Sequence, residues 1–188
     1  MPIVKVNRSD WLDAALTLLA ERGYNQVTVQ ALAVRLGVTR GSFYWHFADR
    51  SMMLREALAH WEQLGTDTLI RDGRRVSDVE TRFGQIVRRA LTDDPFPGLE
   101  PAIRAASTEV GVTPVLERVT RRRIEYLEGI LLDAGLTPHE ARQRATTVYA
   151  TYVGWSDLRR TVPDILTGID LEDVISQVTS SALSPRTR

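Results

Sequence analysis

Apolar residues recur along this chain at three- and four-residue intervals, and each run is bounded by residues suited to start or stop a helix. Leu12, Ala15, Leu16 and Leu19 form the first stripe, with Ser9 as its expected cap, Asp10 and Asp13 near its positive end, and Gly23 at its close. Thr28 opens a second, shorter helix carrying Leu32, Ala33 and Leu36, and Gly37 supplies the positive φ that ends it. Val38 plugs the turn, Thr39 caps a third helix running through Phe47, and Phe43 and Phe47, four apart, face inward. The first stripe has only this helix-turn-helix to bury against, so the pattern predicts a three-helix head.

Asp49 then caps a long helix with Met53, Leu54, Ala57, Leu58, Trp61 and Leu64 on one side, broken at RDGRR near Gly73. Further helices are expected over Val76 to Thr92, through about Val110 after a break at DDPFPG, and from Pro114 to Ala134. In that last helix Arg118, Arg121, Arg122 and Arg123 interleave with Glu117, Glu125 and Glu128, the pattern of a solvated face. Thr137 and Pro138 start a helix reaching past Arg160, and a final one covers Leu171 to about Ala182. The fold class is therefore all-α, about nine helices, with residues 1–50 as a three-helix head and 51–188 as a larger helical bundle.

Composition narrows the chemistry. The 188 residues, 43% of them hydrophobic, suffice for a real core, and the absence of cysteine excludes disulfides, thiolate metal sites and cysteine nucleophiles. No apolar run approaches the ~20 residues that cross a bilayer, and MPIVKVNRSD lacks the apolar stretch of a secretory signal, so a cytoplasmic protein without membrane partners is expected. Net charge is zero, yet residues 1–50 hold six cations (Lys5, Arg8, Arg22, Arg35, Arg40, Arg50) against four carboxylates, a local excess of +2. A head of this charge would bind DNA only through a few placed contacts and by doubling itself, not through a strong general field. Lys5 and Arg8 on an N-terminal arm could reach a phosphate or the minor groove, or simply be solvated.

The third helix leaves Arg40, Gly41, Ser42, Tyr44, Trp45 and His46 facing outward, with Thr39 at its start. An arginine at the front of a helix in the major groove can make the two-point contact to guanine O6 and N7, and Arg40 stands there. Gly41 permits close backbone approach, while Ser42, Tyr44, Trp45 and His46 can donate to phosphate or pack on sugar and thymine methyls. Arg50 adds a cation at the rim. The alternative is an aromatic core patch beside a surface charge.

The stretch AERGYNQVTVQALAVRLGVTRGSFYWHFADR, preceded by an amphipathic helix and followed by a long one, resembles the tetracycline-repressor (TetR) family of bacterial transcription regulators, most specifically from Ser9 to Ala57. The resemblance implies base contacts from Gln30 and Arg40, close approach by Gly41 and Tyr44, and phosphate contacts from Thr28, Ser42, Trp45, His46 and Arg50. Gln30 stands where the family often has lysine or arginine, and Arg50 where it often has lysine. It also implies that the last two helices pair with their copies as a four-helix dimer interface, for which Ala145, Val148, Tyr149, Tyr152, Trp155, Val174 and Val178 are the candidates; they could instead close the monomer's own core. Two heads on a two-fold axis fit palindromic half-sites spaced by about 34–36 Å or a multiple.

Trp61, Phe83, Phe96, Ile103, Tyr126 and Tyr152 could line an apolar effector pocket with Arg104 or Glu109 as anchor, or be core. Enzymatic readings find no support: GxGxxG, the P-loop and GxSxG are absent, and His46, His60 and His139 lack metal-ligand spacing. No cofactor or metal is implied. The expected function is a homodimeric repressor on double-stranded DNA, released by a small hydrophobic effector. The alternatives are an activator using the same face, and a helical small-molecule binding or interaction protein in which the helix-turn-helix is only scaffold.

Overall fold

The computed structural model describes residues 6–92 and 95–184, and among them every regular element is helical. Lys5 and the first residues of the expected arm lie outside this range, as do Asp93 and Asp94 of the DDPFPG break. Nine helices follow in order: α1 (Arg8–Arg22), α2 (Val29–Leu36), α3 (Arg40–Phe43), α4 (Arg50–Glu62, continuing through Gln63–Asp67 and Thr68–Gly73), α5 (Val79–Thr92), α6 (Leu99–Ala105), α7 (Val112–Asp133), α8 (Pro138–Thr161) and α9 (Leu171–Leu183). None is long and apolar enough to cross a membrane among the described residues. The chain forms two compact units, Met1–Gln63 with Phe96–Leu116, and Leu64–Pro95 with Glu117–Arg188.

In the first unit α1 is the central element. Its cap is Asn7, not Ser9: the Asn7 side chain accepts from Asp10 N–H while Asp10 accepts from Asn7 N–H, a reciprocal box that leaves Ser9 to donate to Asn7 Oδ1 at 2.7 Å. Seven of its side chains are buried, Trp11, Ala14 and Leu18 besides the predicted four, because α4 and α6 pack on it as well as α2. The return of α6 to α1 was not foreseeable from local periodicity. Trp11 meets Phe43 edge-on, with ring centroids 5.4 Å apart, and Phe47 completes an aromatic cluster beneath α3.

The second unit is built from the end of α4 with α5, most of α7, α8 and α9 around Phe83, Ile86, Val87, Leu127, Ile130, Leu131, Tyr149 and Ile175. Thr137 and Glu140 form the capping box of α8, with Pro138 in the first turn as expected. Arg123 does not sit on a solvated face: its Nε donates to Thr66 Oγ1 at 2.9 Å and its guanidinium lies 5.7 Å from the Tyr152 ring centroid. Arg122 likewise pairs with Asp67 at 2.6 Å.

Between Gln63 and Asp67 the helix α4 widens to a π turn. A π turn accommodates one residue more than an α turn, so the buried stripe is displaced by one position. Trp61 and Thr66, five apart, are both buried, whereas Leu64, predicted to continue the stripe, is 39% exposed.

Candidate nucleic-acid interface

The turn between α2 and α3 is set locally. Thr28 Oγ1 accepts from Ala31 N–H at 3.1 Å, and Gly37, at φ +67°, takes the left-handed conformation that lets its own N–H and that of Val38 close the helix on Ala33 and Val34 carbonyls. The helix α3 is shorter than predicted. Regular geometry ends at Phe43, and the next residues tighten, with Tyr44 N–H bonded to Gly41 O and His46 N–H to Phe43 O. Thr39 takes the extended cap conformation without a side-chain cap bond, and Ser42 Oγ donates to its carbonyl at 2.7 Å.

This brief element is anchored by Phe43 and Phe47 and presents the opposite side to solvent. Trp45 is 88% exposed and Tyr44 58%, an unusual cost for two large rings in a folded protein. Thr28, Gln30, Thr39, Arg40 and Gly41 are exposed, and Ser42, His46 and Arg50 half-buried. Arg40 makes no side-chain hydrogen bond or ion pair among the described residues. The exposed candidates therefore lie on and beside one short turn of chain.

Three other cations of the head, Arg8, Arg35 and Arg50, are engaged. Arg8 pairs with Glu56 and donates to the His46 carbonyl, and its guanidinium lies 4.4 Å from the Phe47 ring centroid; the Glu56 bond raises its pKa above the ordinary arginine value. Arg35 makes a two-point pair with Glu21, at 2.7 and 2.8 Å, which pulls the Glu21 carboxyl below its usual range. Arg50 donates from Nε to Val27 O at 2.6 Å and from Nη2 to Tyr24 O at 2.7 Å. From sequence, Arg8 is an arm residue that reaches a phosphate or the minor groove or is simply solvated, and Arg50 a phosphate contact; nothing in their local spacing signals these bonds to distant carbonyls.

The remaining candidates are distributed as follows. Trp61, Phe96 and Ile103 belong to the first unit, Trp61 and Ile103 buried, and Arg104 pairs there with Glu100 at 2.8 Å. Phe83, Tyr126 and Tyr152 belong to the second, where Phe83 is fully buried. Ala145 and Tyr149 are buried within that same unit, and Val148, Tyr152, Trp155, Val174 and Val178 are half-buried against its core. The second unit also carries an open groove of about 760 Å³, which includes Tyr126 but neither Phe83 nor Tyr152.

Residues 12–57 match the family model of bacterial regulatory proteins of the tetR family. The HTH-type transcriptional regulator AcrR of Shigella flexneri is 40% identical over 55 residues, 29% of this chain and 24% of that relative. The matched stretch spans about a quarter of the length of the curated relatives. The likeness of fold extends further. A transcriptional regulator from Rhodococcus sp. Rha1 has a TM-score of 0.76 at 21% identity, covering 95% of this chain and 96% of that one. The regulator FadR of Bacillus subtilis, solved in complex with stearoyl-CoA, has a TM-score of 0.71 at 18% identity, covering 96% of this chain and 100% of that one. The helix-turn-helix segment is thus similar in sequence to the bacterial regulatory proteins of the tetR family, and the order of helices along the whole chain is that of solved transcriptional regulators.

Proposed function

We propose that this protein is a homodimeric, sequence-specific DNA-binding repressor that leaves a palindromic operator when a small, largely hydrophobic effector binds. The observation that carries the reading is the exposed, unpaired Arg40 flanked by Tyr44 and Trp45 over an anchored aromatic floor. A folded surface gains nothing from two bare rings and an idle guanidinium, whereas a major groove offers all three a partner. Arg40 reads a guanine, Gly41 lets the backbone approach, and Thr28, Ser42, Trp45 and His46 hold phosphates.

Dimerisation through α8 and α9 is supported by Leu158, Val162, Ile165 and Ile169, large apolar residues left exposed around the end of α8. Effector response is supported by the stearoyl-CoA complex of a protein with this fold. Release requires the effector to prefer the DNA-incompetent state, with a coupling of about 1–3 kcal/mol in typical cases.

The test is fluorescence anisotropy of the protein on duplexes from the intergenic DNA flanking its gene, and on genomic fragments selected for binding, with shuffled controls and a salt series. Tight binding to one palindromic duplex, lost in Arg40→Ala, is expected, with a dimer by light scattering. Absence of any preferred duplex after genomic selection would leave the helix-turn-helix as scaffold. In vitro transcription from the bound promoter separates repression from activation.

A further inference from the structure

The groove of the second unit has a chemistry that the DNA-binding face does not use. Four arginines and three carboxylates line it, together with Ile70, Tyr126 and Ile130. Two of the carboxylates are already committed, Asp133 to Arg82 and Asp67 to Arg122, each at 2.6 Å. Arg74, exposed on the rim, has no ion pair among the described residues.

Two donors in the lining lack partners. The Tyr126 hydroxyl and Arg82 Nε are both buried and make no hydrogen bond among the described residues. Burial of an unmade donor is costly, and such atoms call for an explanation. The Tyr126 hydroxyl is held there by geometry: a Cβ on Gly73 would come within 2.3 Å of it, so only glycine at that position leaves the ring its place. Burial raises the Tyr126 pKa while the charges of Arg82 and Arg74 oppose the rise, which puts both guanidinium groups in its electrostatic reach and keeps it an O–H donor at neutral pH.

We infer that this groove binds the anionic head, phosphate or carboxylate, of a small molecule whose apolar body lies along Ile70, Tyr126 and Ile130. The inference rests on the effector-responsive reading above and gives that effector a chemical class. Arg74 supplies unspent charge, Tyr126 and Arg82 supply the unmade donors, and the volume suits a single small molecule, pockets for which run to roughly 300–1,000 Å³. A nucleic acid fits worse, because three carboxylates face a polyanion that would run the length of the groove.

Isothermal titration of the full chain with phenyl phosphate and with benzoate tests this, with Arg74→Ala, Tyr126→Phe and, as a control off the lining, Arg75→Ala. Saturable binding of at least one probe is expected, weakened tenfold or more by Arg74→Ala, several-fold by Tyr126→Phe and not at all by Arg75→Ala. The tighter probe identifies the head group, and inorganic phosphate alone measures the contribution of the body. Circular dichroism confirms that Arg74→Ala folds, as its exposed and unpaired side chain predicts. Failure of both probes to bind, or equal binding by Arg74→Ala, overturns the inference. Because titration is read without DNA, that failure leaves operator binding standing; probe binding that never alters operator affinity supports the groove and removes its effector role.

Discussion

Arg50 reaches back across 23 residues to hold the carbonyl of Val27, Nε to O, at 2.6 Å. Its Nη2 takes the Tyr24 carbonyl at 2.7 Å, and the guanidinium lies 5.0 Å from the Tyr24 ring centroid. Both carbonyls precede α2, so the first residue of α4 fixes where the helix-turn-helix begins. Arg50→Ala is expected to lower the unfolding free energy by about 1.5–3 kcal/mol, the range for hydrogen bonds to charged groups. Arg50→Lys should recover only part, since an ammonium has no planar fork. Denaturant melts measure both. In a salt series of operator binding the slope should stay unchanged in either variant, because no phosphate contact is lost.

The exposed face behaves oppositely. Arg40→Ala and Trp45→Ala should leave stability within about 0.5 kcal/mol, as for surface substitutions away from packing. Arg40→Ala is expected to lose about 1–3 kcal/mol of discrimination at a guanine position. Trp45→Ala should weaken all duplexes by about 0.5–1.5 kcal/mol for the lost contact in each head. Parallel melts and anisotropy on operator and point-mutated duplexes separate the two effects.

Gly73 and Tyr126 should couple. Gly73→Ala places a methyl 2.3 Å from the Tyr126 hydroxyl and 2.9 Å from Ile86 Cδ1, a clash of the overpacking kind costing about 1–3 kcal/mol. Tyr126→Phe removes the nearer atom, so the double variant should lose less than the sum of the two singles. A double-mutant cycle by urea denaturation gives the coupling directly, and strict additivity would show that the ring simply swings away.

Sequence periodicity read the helices well because each is marked twice, by an apolar stripe and by its ends. Thr28, Gly37, Asp49 and Thr137 do what their residue types predict. The outward set on α3 was legible for the same reason: with Phe43 and Phe47 assigned inward, the rest had to face out. What sequence could not supply was long-range. Arg8 and Arg50 look like any basic residues until their carbonyl partners are placed, α6 carries no mark directing it to α1, and the Arg122–Arg123 pair reads as solvated until Asp67 and Thr66 are seen beside it.

Acid should loosen the contact between α5 and α9. Arg88 pairs with Glu172 and holds its carboxyl below the ordinary value near 4.5. The stability so gained is fully present above that value and is lost as pH falls through the lower value of the folded state. Both side chains are about half exposed, so the effect is small and weakens with salt. Wild type and Glu172→Gln should differ in melting temperature at neutral pH and converge below about pH 4, the unfolded value being near 4.3. A constant gap across that range would mean that the pair contributes nothing through charge.

The π turn at Gln63–Asp67 gives α4 one place where its length can change. Deleting one residue there would return the helix to plain α geometry with the turns on either side still in register, whereas a deletion elsewhere in the helix would rotate the residues beyond it by about 100°. Within this helix, single-residue losses should therefore be tolerated at Gln63–Asp67 and excluded from the plain α turns on either side.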